Sequence, residues 1–292
     1  MRYIKNISAV NSMNIPKYQT LEPFNFLGLD EQDYGTAKVA IFPVPYNSTT
    51  YWKSGTKEGP QALIEASRHI ELYDLETKKN LAETGIFTLP FLEPSKNSPK
   101  ETLERIEKVV AQILCDKKVP MMIGGEHSIT FGAVSALAKE NKDFSVLQID
   151  AHSDLRDEFE GTKFHHANVM KRVKDLGISI TQVGIRSSSA DDEFENVFFA
   201  PELPIDKIIS TLKKNVYLTF DLDGLDPSIM PATGTPEPGG LGWYETLKLI
   251  KEVASQRKII GADVVELDPI PGLSAPDFLA AKLVYKIISY II

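Results

Sequence analysis

The sequence predicts an α/β fold: one three-layer α/β/α domain, residues 1–292, with a mostly parallel central sheet. Two observations carry that expectation. Short β-branched runs alternate with helix-period segments almost from end to end, the pattern of strands joined by crossover helices. No stretch is rich enough in Gly, Ser or Pro to act as a linker, and no internal repeat divides the chain. Residues 1–30 are expected to form an N-terminal extension packed on the domain. The elements then follow in order. A strand at KVAIFPV (38–44) precedes a helix over about 60–77, opened by Pro60 after Gly59, where proline suits a first helical position. GIFTLPF (85–91) and VPMMIGG (119–125) read as strands flanking a helix over about 100–117. Helices over about 128–140 and 166–176 alternate with strands FSVLQID (144–150) and ISITQVGI (178–185). A helix over about 205–214 leads into NVYLTFDLD (215–223), and one over about 243–256 into IIGADVVEL (259–267). The last helix, about 276–291, starts at Pro276 and carries Leu279, Leu283, Val284, Ile287 and Ile288 as an apolar stripe.

Composition narrows the function classes. The chain has 292 residues, 42% hydrophobic and 25% charged, with a formal net charge of −8. That balance argues against a surface built for nucleic-acid phosphates, which needs a basic patch, and is compatible with a small cationic substrate. One cysteine, Cys115, excludes an intrachain disulfide framework and suggests a reducing compartment. The first thirty residues hold no apolar run of signal-peptide type, and no stretch reaches 18 uninterrupted apolar residues. The expectation is a cytoplasmic chain with no membrane partner.

The chemistry lies where strands end. GGEHS (124–128), DAHSDLRDEFEGTKFHH (150–166), DLDGLDPSIMPATGTPEPGG (221–240) and ELDPIPG (266–272) each leave a strand's carboxyl end, where α/β sheets bind ligands. In DAHSD, Asp150 and His152 share one strand face and the chain turns to return Asp154 to the same place. Asp221 and Asp223 repeat that arrangement on another strand, and His127 supplies a second imidazole. Like charges gathered this closely cannot all stay ionised without cations between them, so a metal pair is expected. No cysteine is in the set, which disfavours a structural zinc site. Carboxylates with a few imidazoles suit manganese, with iron, cobalt or zinc as alternatives. Two ions sharing Asp150 and Asp221 would lower the pKa of a solvent molecule between them, which points to metal-assisted hydrolysis.

GGEHS, DAHSD, DLDGLDPSIMPATGTPEPGG and VVELDP resemble the signature blocks of the ureohydrolase family, the arginases and agmatinases, and the flanking pattern extends the resemblance over nearly the whole chain. The resemblance implies two manganese ions. One would take His127, Asp150, Asp154 and Asp221, and the other Asp150, His152, Asp221 and Asp223. It also implies that Glu266 orients the guanidinium and that a histidine in FHHAN shuttles protons. His166 matches that position, and His165 beside it departs from the pattern. Asp154 would accept a hydrogen bond from the nucleophile and help pass its proton to the departing amine, releasing urea and a primary amine. The resemblance further implies a homo-oligomer, trimer or hexamer.

Substrate choice is less directly written. Arginases usually carry Asn two residues after the last Asp of the DAHxD block, where this chain has Arg156, and GIRSSS (184–189) lacks the arginase-like Asp behind Arg186. TGTPEPGGL (233–241) is closer to agmatinases, so agmatine is the expected substrate, with a guanidino acid or arginine as alternatives. Asp157, Glu158 and Glu160 are expected to hold Arg156 away from the pocket; an Arg156 inside it would favour a carboxylate tail. Tyr51 and Trp52 read either as a loop over the site or as packing. A metal-dependent phosphoesterase, a one-zinc deacetylase and a non-catalytic metal-binding relative are the competing classes. The first lacks phosphate-binding cations near the ligands apart from Arg156, and the last gives no reason to keep so costly a charge cluster.

Overall fold

The structure is a computed structural model, which describes residues 21–50 and 52–292. The first twenty residues of the expected N-terminal extension, and Tyr51, lie outside the described residues. The sheet strands are β1 (Val39–Val44), β4 (Ile86–Thr88), β5 (Val119–Gly124), β6 (Ser145–Ile149), β7 (Ser179–Ile185), β8 (Asn196–Phe199), β9 (Asn215–Asp221) and β10 (Lys258–Val265). They pair in the order β4-β1-β5-β10-β9-β6-β7-β8, and every neighbouring pair is parallel. The helices are α1 (Gly59–Ser67), α2 (Pro99–Cys115), α3 (Thr130–Glu140), α4 (Val169–Asp175), α5 (Ile205–Thr211), α6 (Trp243–Gln256) and α7 (Ala275–Ile291).

The strand period of two divides the core into two layers. Val39, Ile41, Met121, Ile123, Leu147 and Ile149 pack on one face with α1, α5, α6 and α7. Ala40, Phe42, Val44, Met122 and Val146 pack on the other with α2, α3 and α4. Both faces being covered, β1 is buried at every position, which is why it reads as a continuous apolar run. The three-layer α/β/α expectation is met.

Two local expectations are corrected. The helix drawn over about 60–77 ends at Ser67. Ser67 Oγ donates to Ile64 O and accepts Leu27 N–H at 2.9 Å, and the chain then forms an antiparallel pair, β2 (Tyr73–Asp74) with β3 (Lys79–Asn80). Asp74 organises that turn: its Oδ1 accepts the N–H groups of Glu76 and Thr77 and meets Lys286 Nζ of α7 at 2.9 Å. A partner so far away in sequence leaves no mark on local periodicity. The edge strand β8 was not expected either, because four residues are too few to show a period. Among the described residues, no helix is long and apolar enough to cross a membrane.

The order of strands does the important work. β5, β10, β9 and β6 are consecutive in the middle of the sheet, and their carboxyl ends release His127, Glu266, Asp221 with Asp223, and Asp150 with His152 and Asp154. Four loops far apart in sequence open at one crevice.

Candidate metal centre and active-site cavity

Backbone close approach builds the centre. A Cβ on Gly125 would fall 1.8 Å from Tyr46 O, and one on Gly224 would fall 2.9 Å from Asp150 N. Both positions admit only glycine without a backbone shift, and both bring a ligand-bearing loop against its neighbour. Asp154 and Glu266 adopt left-handed backbone, with φ of 53° and 66°, a region costly for residues with a side chain and characteristic of functional positions.

The aspartates are cross-braced by backbone donors. Ala151 N–H donates to Asp223 Oδ1 at 3.0 Å, His152 N–H to Asp150 Oδ1 at 2.5 Å, and Asp223 N–H to Asp221 Oδ1 at 2.9 Å. Behind them Gln182 Nε2 donates to Gln148 Oε1, and Gln148 Nε2 donates to Asp150 Oδ2, each at 2.7 Å. The carboxylates of Asp150, Asp221 and Asp223 are thereby aimed.

Two ligand groups result. His127 Nδ1 stands 3.1 Å from Asp150 Oδ2, 3.2 Å from Asp154 Oδ2 and 3.3 Å from Asp221 Oδ2. His152 Nδ1 stands 2.9 Å from Asp223 Oδ2 and 3.6 Å from Asp150 Oδ1. Asp150 thus offers one oxygen to each group, as a bridging carboxylate does, and the sets His127–Asp150–Asp221 and Asp150–His152–Asp223 are each close enough to hold an ion. Ligands at about 2.1 Å in octahedral positions lie about 3 Å apart, close to the spacings around His127.

Hydrogen bonding says which nitrogen of His127 is free to ligate an ion. Thr219 has one hydroxyl hydrogen and donates it to Asp263 Oδ1 at 2.6 Å. Toward His127 Nε2, 2.8 Å away, Thr219 can therefore only accept, so Nε2 carries the hydrogen and Nδ1 the lone pair. That Nδ1 is buried and has no hydrogen-bond partner, an orphan that a metal ion would satisfy. Asp263, itself fully buried, also takes Tyr217 Oη–H and Thr130 Oγ1–H.

The electrostatics agree. Burial, then the charges of Asp223 and Asp150, pushes the Asp221 carboxyl well above its usual range, and burial with the Asp150 charge raises Asp154 to about 6. Burial opposes protonation of His127, yet the carboxylates of Asp150, Asp154 and Asp221 gathered around it lift it well above normal. The cluster demands positive charge.

A cavity of about 360 Å³ opens over the two groups, lined among others by His127, His152, Asp154, His166, Asp221, Asp223 and Glu266. All the expected site residues except Asp150 line it, and Asp150 lies beneath, fully buried. Glu266 Oε1 accepts His127 N–H at 2.6 Å. Burial, with the charge of Glu126 adding, pushes the Glu266 carboxyl well up. Of the adjacent histidines, His166 lines the cavity and His165 is 1% exposed behind it, ring centroids 4.1 Å apart. Burial, then the neighbouring imidazoles, holds His166 down to about 3, so it is neutral near pH 7.

Arg156 corrects an expectation. Its acidic neighbours do not hold it away: Asp157 pairs with Arg172 and Lys163, Glu160 lies 3.8 Å from His165 Nε2, and Arg156 lines the cavity with its guanidinium 4.8 Å from the Phe159 ring. Trp52, 70% exposed, and Lys53 line the same cavity. Residues the sequence reading did not single out are Lys53, Thr49, Glu126, Thr219, Asp263 and the pair Gln148–Gln182. Glu126 stands inside GGEHS, where its place beside His127 was the one available signal.

Residues 37–289 match the model of the arginase family. An N(1)-aminopropylagmatine ureohydrolase of Synechocystis is 38% identical over 95% of this chain and 97% of its own. An agmatinase of Pyrococcus horikoshii is 30% identical over 88% of this chain and 93% of its own. The structure of an agmatine ureohydrolase of Thermoplasma volcanium superposes with a TM-score of 0.84 at 34% identity, covering 92% of this chain and 94% of that one. Motifs, sheet order and paired ligand groups therefore converge with these likenesses: the chain belongs to the arginase family, as a ureohydrolase of agmatinase type.

Proposed function

We propose that the protein is a two-manganese hydrolase that cleaves agmatine, or a closely related guanidino cation, to urea and a primary amine. The observation that carries this reading is Asp150, whose two oxygens face two histidine-containing ligand groups on the floor of a cavity that also holds Glu266 and His166. His127, Asp150, Asp154 and Asp221 would hold one ion, and Asp150, His152, Asp221 and Asp223 the other. When bound, the pair supplies a nucleophile at neutral pH by lowering the pKa of a water. Glu266 has one oxygen engaged by His127 N–H, which fixes the carboxylate, and its charge pairs with the guanidinium and sets its angle to the nucleophile. Asp154 accepts a hydrogen bond from the attacking water and carries its proton toward the nitrogen whose bond to the guanidinium carbon breaks. With that proton on nitrogen the amine leaves carbon uncharged, and His166, neutral in the cavity wall, would take a second proton from solvent and pass it to the free amine, which exits as an ammonium.

Relatives named for aminopropylagmatine and for agmatine support a linear cationic substrate; agmatine is the reading we adopt. Arg156 and Lys53 on the cavity wall favour a second reading, a guanidino acid whose carboxylate meets them. We further propose one catalytic domain over residues 1–292, a cytoplasmic location, and a trimer or hexamer. The test is urea release from agmatine, aminopropylagmatine, 4-guanidinobutyrate and arginine at equal manganese loading, with wild type and Arg156→Ala. Agmatine or its aminopropyl derivative should give the highest kcat/KM. A preference for guanidinobutyrate that vanishes in Arg156→Ala would replace this reading with the acid, and no urea from any of them would end it.

A further inference from the structure

We propose that Thr49 is a positioning residue that sets the tautomer and aim of His166, through a chain anchored on Glu126. The inference rests on the role given to His166 above. Thr49 lies just past β1, Glu126 past β5 and His166 past β6, three loops that meet only in the folded chain. Glu126 is fully buried and its oxygens accept Ser48 N–H at 2.6 Å, Thr49 N–H at 2.8 Å, Thr49 Oγ1–H at 2.7 Å and Ser128 Oγ–H at 2.5 Å. The single hydroxyl hydrogen of Thr49 is thus committed to Glu126. What remains on Thr49 Oγ1 is acceptor capacity, and both contacts it makes there are with His166: backbone N–H at 3.2 Å and ring Nδ1 at 3.4 Å.

An acceptor opposite Nδ1 selects the tautomer with hydrogen on Nδ1 and the lone pair on Nε2. The Nδ1 contact is long, as such bonds are before substrate fills a site. The opposite tautomer would turn its lone pair on a hydroxyl with no hydrogen left to give. The ring is also confined from behind by His165, whose Nδ1 accepts Ala167 N–H at 3.2 Å and whose ring packs edge-to-face with Phe159. The one hydroxyl therefore fixes where the His166 backbone starts and which nitrogen is basic, and a shuttle needs both.

The test is a double-mutant cycle on the manganese-loaded enzyme with agmatine as substrate: Thr49→Val, His166→Ala and the pair. Thr49→Val should lower kcat about five- to tenfold, the size of one hydrogen bond, with KM changed less than about twofold; Thr49→Ser should restore the rate. In the His166→Ala background Thr49→Val should cost nothing further, because residues acting through one group are not additive. Thr49→Ala serves as a second truncation should the valine variant fold poorly. Equal losses in both backgrounds, or a serine variant as slow as valine, would overturn the inference and leave His166 its role. A wild-type rate for His166→Ala would overturn that role and this inference together.

Discussion

Replacing Thr219 with valine tests the metal centre at a residue that touches no ion. The side chains are nearly isosteric, so packing is kept while two hydrogen bonds go: the one accepted from His127 Nε2–H at 2.8 Å and the one given to Asp263 Oδ1 at 2.6 Å. Thr219 is fully buried and His127 is 1% exposed, so water cannot replace the lost acceptor. An unsatisfied buried donor costs about 1–3 kcal/mol. Loss of a group that orients a ligating histidine typically weakens metal binding about 10- to 100-fold, or ~1.4–2.8 kcal/mol. The two estimates agree. Tyr217→Phe is the matched control, since it also removes a donor from Asp263, at 2.6 Å, without touching His127. Calorimetric titration of manganese into metal-stripped protein should show the 10- to 100-fold loss for Thr219→Val only, with Thr219→Ser close to wild type, while both Thr219→Val and Tyr217→Phe lower Tm. Equal affinity losses in Thr219→Val and Tyr217→Phe would refute the reasoning, since the effect would then come from Asp263 and not from the His127 tautomer.

Asp221→Asn removes a carboxylate assigned to both ions, so metal analysis should find it more depleted than Asp154→Asn, which should keep most of its metal and lose turnover; equal depletion would contradict the assignments. His166→Ala should slow turnover by something like 10²–10⁴-fold and His165→Ala by much less, since His165 packs behind the cavity wall; the reverse ranking would move the shuttle. Stability should respond to acid at Glu76, away from the centre. Burial works against its charge, but hydrogen bonds from Lys286, Lys251 and Tyr290 bring it down to about 2. A carboxylate depressed in the folded state stabilises above its unfolded pKa, about 4.3, and that contribution is lost as pH falls from there through about 2. Melting curves should therefore show Glu76→Gln below wild type at pH 7, with the gap narrowing below about pH 4.3 and closing only as pH falls through about 2; a gap constant with pH would count against this ion-pair network.

Much of this protein is local in origin and so legible along the chain. Alternating apolar runs and helix-period segments dictated a parallel sheet with both faces covered, because strand and helix periods are properties of neighbouring residues. The candidate ligands were legible because their spacing is itself chemistry: Asp150, His152 and Asp154, like Asp221 and Asp223, crowd like charges at a strand end, a cost that cations would offset. Other features are set by partners distant in sequence. The turn at Asp74 exists where a helix was expected because Lys286 reaches it from α7. His166 and not His165 faces the cavity because Thr49 and Glu126, on two other loops, hold it there. Arg156 stands on the cavity wall although acidic residues surround it in sequence, because Asp157 is drawn to Arg172 and Lys163 and the Phe159 ring receives the guanidinium. Sequence by itself determined which groups carry the charge and at what local spacing. Which nitrogen of His127 is free to ligate, which histidine lines the cavity and which cation stands on its wall were decided only by the tertiary structure, because hydrogen-bond direction and burial depend on what the fold places opposite each side chain.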